Sequence, residues 1–168
     1  MSSNRLLLAA IGIGAVAGMR TMTAPAAVAW RDRGSAAARS PCVTSVLAGL
    51  AMLELLADKI PTAPDRVETG ALAARAASGA WSAAQFAKRG GGPLPGYAAV
   101  GAGAAVASAW GFYRLRRAAG RLGIPDLWLG LAEDLLALVM ASRVSRAAWN
   151  KAGVKVEGIE GINGVRVK

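Results

Sequence analysis

The stretch Leu6-Leu7-Leu8-Ala9-Ala10-Ile11-Gly12-Ile13-Gly14-Ala15-Val16-Ala17-Gly18-Met19-Arg20-Thr21-Met22-Thr23-Ala24-Pro25 decides how this chain folds. An unbroken apolar run ends abruptly in an arginine, two threonines and a proline. Carried on to Trp30 as one straight helix, the segment would extend about 37 Å, longer than the roughly 30 Å hydrocarbon layer of a bilayer. It must tilt or break. The break has a chemical basis, because Thr23 can cap a new helix and Pro25, with φ already fixed, fits its first turn. Arg20 then stands beside free backbone N–H groups and the positive end of that helix, a combination suited to carboxylate or phosphate. The competing reading is an arginine snorkelling to a membrane interface.

Four further apolar segments follow. Residues 42–60, about 28 Å as a helix, enclose Glu54 and end at Pro61 and Pro64. Residues 69–87 are Ala-rich, with Glu68, Arg75, Ser78, Ser82 and Gln85 along one side. That stripe fits either a buried membrane helix or a surface-lying one. After the Gly90-Gly91-Gly92-Pro93 turn, residues 94–113 repeat small residues at Gly103, Ala107 and Gly111. Such spacing lets a neighbouring backbone approach closely. Residues 124–144 open with Pro125 and Asp126 and contain Glu133-Asp134. The expected architecture is all-α, a polytopic transmembrane bundle of about five helices whose first helix breaks near Pro25. It occupies residues 1–149, and a polar tail covers 150–168.

Composition agrees with a membrane class. Of 168 residues 54% are hydrophobic and 18% charged, whereas a soluble domain has about a quarter charged. Mean hydropathy is +0.38. The net charge of +10 would fit nucleic acid. Yet Arg31/Arg33/Arg39, Lys88/Arg89, Arg114/Arg116/Arg117/Arg121 and Arg143/Arg146/Lys151 fall between apolar segments, where lipid headgroups attract them. No aromatic platform accompanies them, so nucleic acid is not an expected partner. Lone Cys42 cannot form an internal disulfide, and the lack of histidine removes the commonest zinc and general-base chemistry. No cofactor or metal is expected. Arg5 and the following apolar run imitate a cleavable signal, but the later segments favour an anchor. With five spans, Lys and Arg divide evenly and leave orientation open.

Charges at bilayer depth cost about 2.5–3.5 kcal/mol each and are kept where they have partners or water. Glu54 and Asp58, four residues apart, share a helix face, and Lys59 adjoins them. They read either as a cation or proton site, with Arg20 or Arg75 as counter-charge, or as a buried ion pair with Asp58 and Lys59 at the interface. Glu133 and Asp134 point about 100° apart, one toward the protein centre and the other toward a neighbouring helix or subunit. They read as a proton-holding pair or as a polar seam. Arg114, Arg116, Arg117 and Arg121 form a headgroup-facing basic loop, with an anionic-lipid pocket as the sharper version. The glycine turn lacks the Lys-Ser/Thr of a phosphate loop.

The segment from Leu50 to Leu56, centred on Glu54, echoes that from Leu129 to Leu135, centred on Glu133. Gly18-Met19-Arg20 has a loose counterpart in Gly111-Phe112-Tyr113-Arg114. The echo admits an inverted repeat, an arrangement that places binding sites at the membrane midplane, or a chance match of Leu/Ala-rich helices. The residues Gly18, Arg20, Pro25 and Ala26, then Glu54, Asp58, Lys59, Pro61, Pro64 and Arg66, then Pro125, Asp126, Glu133 and Asp134 carry a likeness over nearly the whole chain. On them the chain resembles a family of small bacterial integral membrane proteins catalogued only as a domain of unknown function. The resemblance implies a compact helical membrane domain and brings no established activity.

These readings converge on a multi-pass protein of the cell membrane, the bacterial inner membrane by the resemblance. The expected function is a small homo-oligomeric transporter or channel whose polar site, built from Arg20, Thr23, Glu54, Asp58, Lys59, Arg75, Glu133 and Asp134, takes an ion or small anionic solute. The alternative is a non-transporting lipid-binding or assembly protein. An enzyme acting on lipid phosphates lacks a recognisable metal or histidine motif.

Overall fold

The first helix stops where the sequence turns polar. In the computed structural model, α1 (Ser3–Met19) ends at Arg20, which is extended with φ −141° and ψ 112° and bonds its N–H to the Val16 carbonyl at 2.8 Å. Helix resumes as α2 (Thr23–Arg31). The structure describes residues 2–31, 41–57 and 68–149. Within them α3 (Pro41–Ala57), α4 (Thr69–Gly90), α5 (Leu94–Arg121) and α6 (Asp126–Trp149) complete six helices, and the described residues contain no strand. Asp58, Lys59, Pro61, Pro64, Arg66 and the tail 150–168 lie outside the described residues.

The break at Arg20 is a reversal. Arg5, near the start of α1, shares a groove with Arg143, Ala147 and Ala148 near the end of α6. Arg31, at the end of α2, shares another with Ser142, Ser145 and Arg146. Both helices therefore have those termini at one end of the molecule, with residues 20–22 turning between them. The expected single segment is thus a hairpin of a long helix and a short one.

Helices α1, α4 and α5 pack most closely. Helix α4 runs antiparallel to α1: Arg75 reaches the Gly18 carbonyl, while Gly90 lies against Leu6. The left-handed Gly91, φ 72°, ends α4, and the Gly92 N–H bonds back to the Ala87 carbonyl at 3.0 Å. Helix α5 then returns alongside α1. A Cβ on Gly14 or Gly79 would strike the Gly101 carbonyl oxygen, one on Gly101 would strike that of Gly79, and one on Gly18 would strike that of Ala105. Backbone meets backbone there because only glycine permits it. The approach face of α5 is Gly101/Ala105/Ala109, not the anticipated Gly103/Ala107/Gly111. Gly103 and Gly111 look into open space. Both sets have the same spacing, so the sequence could not rank them.

Of the expected architecture the structure bears out the all-α helical part. No helix among the described residues is long and apolar enough to cross a membrane. The causes are local. Arg20 cuts α1 to 17 residues, Arg75 and the serines dilute α4, glycines and arginines dilute α5, and Glu133-Asp134 interrupts α6.

Beside an apolar core that includes Leu6, Ile13, Val16, Val28 and Phe86, several charges are buried while large apolar side chains are exposed. Arg20 is 1% exposed and Glu133 3%, whereas Leu8 is 67%, Trp128 66% and Leu135 64% exposed.

Candidate functional site

Breaking α1 from α2 leaves carbonyls at one helix end and N–H groups at the other without helical partners. Side chains from three other helices supply them. Arg75, on α4, donates from Nη1 to the Gly18 carbonyl at 2.5 Å and to the Met19 carbonyl at 3.4 Å. Ser78, one turn further, donates to the Thr21 carbonyl at 2.5 Å. Glu54, on α3, accepts the Thr21 N–H on Oε1 at 2.6 Å and the Met22 N–H on Oε2 at 2.8 Å. The carboxylate thus sits at the positive start of α2, and the guanidinium at the negative end of α1, each complementing the helix dipole. Ser108, on α5, adds a bond to the Ala15 carbonyl at 2.9 Å.

Arg20 itself points to α6. Its Nε donates to Asp134 Oδ1 at 2.7 Å, and Nη2 binds the same oxygen. Glu133, the next residue, faces Arg116 instead, with Oε2 3.6 Å from Nη1. Arg116 also binds Asp126 through Nε, at 2.7 Å, and Nη2. The adjacent acids diverge as helix geometry requires, and each confronts its own arginine.

The structure therefore brings Arg20, Glu54, Arg75 and Asp134 together at the α1–α2 turn, with Thr23 one residue beyond Met22. Glu133, adjacent to Asp134 on α6, lies 3.6 Å from Arg116, and Asp58 and Lys59 lie outside the described residues. The anticipated cap by Thr23 is not made: its hydroxyl is buried without a hydrogen-bond partner among the described residues, and Glu54 accepts the N–H groups of Thr21 and Met22 in the turn just before α2. The basic cluster is helical rather than a loop, since α5 continues to Arg121. Arg114 lies 6.0 Å from the Trp110 ring and Arg117 5.7 Å from that of Tyr113.

Sequence reasoning did not find Ser108, Ser145 or the partnership of Arg116 with Glu133. Ser78 was visible in the polar stripe of α4 without a role. No three Cys, Asp or Glu side chains among the described residues converge to hold a metal ion. The site is a closed set of charges around an interrupted helix. Compared with protein-family models, curated proteins and solved structures, the chain matches none.

Proposed function

We propose that this protein is a small integral membrane transporter or channel for an ion or small anionic solute, with its polar site at the α1–α2 turn. The observation that carries this reading is the part-buried turn before the short helix α2, where the carboxylate of Glu54 is held by the backbone N–H groups of Thr21 and Met22. Interrupted helices bind anionic groups in this way inside membranes, and non-helical backbone at that depth is tolerated where protein surrounds it or a cavity wets it. Glu54 occupies the position an incoming carboxylate would take, with the Arg20–Asp134 pair alongside.

The outward-facing Leu and Trp side chains support a lipid environment for the bundle. Hydropathy averaged around each helix understates its outer face, because the charges point inward. Homo-oligomers packed through the open stripe of Gly103 and Gly111 belong to the same proposal, as does the inverted repeat.

Flux across vesicles containing purified protein tests the idea, with chloride and formate as probes. Glu54→Gln is expected to change anion flux at least about tenfold while the protein still melts cooperatively; Arg20→Ala is expected to abolish it. Flux at the parent level in a folded Glu54→Gln protein overturns transport. One observation favours the alternative, a lipid-binding or assembly protein: Arg20, Glu54, Arg75, Glu133 and Asp134 all have partners within the chain. In that case both substitutions lower stability and no flux is measured in any variant.

A further inference from the structure

A groove of about 440 Å³ runs between α2, α3 and α6. Helices α2 and α6 leave the Arg20–Asp134 pair in the same direction; Arg31 stands about 12 Å along α2 from Thr23, and Arg146 about 18 Å along α6 from Asp134. Both arginines line the groove. Its walls are short and apolar, among them Ala48, Ala51, Met52 and Leu138. Ser145, which lines the same groove, is 1% exposed, and its hydroxyl has no hydrogen-bond partner among the described residues. A buried hydroxyl left unpaired costs about 1–3 kcal/mol, so one kept in a groove that two arginines line calls for an acceptor. A second groove, about 400 Å³, repeats the pattern on the other side of α6, with Arg5 and Arg143 above Leu8, Ala9 and Ala147.

We propose that the larger groove binds an anionic phospholipid, its phosphate between Arg31 and Arg146 and accepting from the Ser145 hydroxyl, one acyl chain lying against the apolar walls. The proposal rests on the membrane placement argued above and not on transport. Charge complementarity selects the occupant. A zwitterionic headgroup would bring its cation to the two arginines, and a free anion would leave the apolar walls uncovered.

The test uses the full chain in nonionic detergent, titrated with phosphatidylglycerol or phosphatidylcholine of identical chains and followed by native mass spectrometry and thermal melting. Phosphatidylglycerol is expected to bind at least about tenfold more tightly and to raise the melting temperature. The double variant Arg31→Gln/Arg146→Gln should weaken it about 25-fold, near fivefold for each charge removed. Ala48→Trp should weaken it by filling the groove with both arginines intact. Lys88→Gln/Arg89→Gln, which removes two charges outside the groove lining, should leave it unchanged. Equal binding of the two lipids overturns the proposal, as does an equal loss in the Lys88/Arg89 variant, which would mean diffuse attraction. Glycerol phosphate alone matching phosphatidylglycerol would reduce the site to an anion site without a chain and overturn it too. Vesicles without flux but with intact lipid preference overturn transport and leave the lipid site standing; flux without lipid preference does the reverse.

Discussion

Asp134→Ala is expected to destabilise the protein by about 3–5 kcal/mol, the usual cost of removing one partner from a buried ion pair. Arg20 is 1% exposed and turns both Nε and Nη2 to Asp134 Oδ1, so the substitution takes the carboxylate from a buried guanidinium. The total stability of a domain this size is about 5–15 kcal/mol, which makes the loss a large fraction of it. Glu133→Ala should cost less, because Arg116 keeps Asp126. The double variant Arg20→Met/Asp134→Leu should recover most of the loss, since apolar side chains of similar volume carry no desolvation penalty. Denaturant or thermal unfolding of the purified variants measures all three. An Asp134→Ala protein within about 0.5 kcal/mol of the parent would refute the closed-pair geometry.

Gly101→Val should disrupt the fold, whereas Gly103→Val, two residues away, should leave it intact. A Cβ on Gly101 runs into the Gly79 carbonyl oxygen and Ala83 Cβ, and the nearest obstacle is backbone, which cannot rotate aside. Overpacking against flexible side chains costs about 1–3 kcal/mol. Here α4 and α5 must separate, with α1 drawn along through Gly14, so the expected cost exceeds about 3 kcal/mol. At Gly103 nothing lies within 4 Å, and the change should fall within about 0.5 kcal/mol. Yield of monodisperse protein and its melting temperature distinguish the two. Equal effects at both positions would mean that the register of α5 is other than described.

What the sequence made legible was the chemistry of the break and the inward direction of charge. Arg20 followed by threonines and Pro25 announced the interruption, and the period of Arg75, Ser78 and Ser82 announced a polar helix face. Three-dimensional reversals were not legible. Nothing local in Thr21-Met22 says whether the next helix continues or returns, because that depends on Glu54 arriving from α3 to hold both N–H groups. The choice between Gly101 and Gly103 was hidden for a similar reason: both lie in stripes of small residues, and the partner helix selects one. Thr23 was assigned a cap by propensity, but its hydroxyl makes no such bond, and a long-range carboxylate holds the turn before it. The echo between Glu54 and Glu133 extends to residue type and not to contacts, since one binds backbone N–H groups and the other an arginine.

The reversal at Arg20 bears on sidedness. Were α1 and α2 a single crossing, the chain's start and the end of α6 would leave opposite faces of a membrane. Because α2 doubles back, both lie at the same end of the bundle, together with the α4–α5 turn. That end carries Arg5, Arg31, Lys88, Arg89, Arg143 and Arg146 and no described acid, while the opposite one mixes its arginines with Glu68 and Asp126. A charge bias invisible in the linear order thus arises from one turn of the backbone; in the membrane setting proposed above, positive-inside sorting would direct that end of the bundle to the cytoplasm.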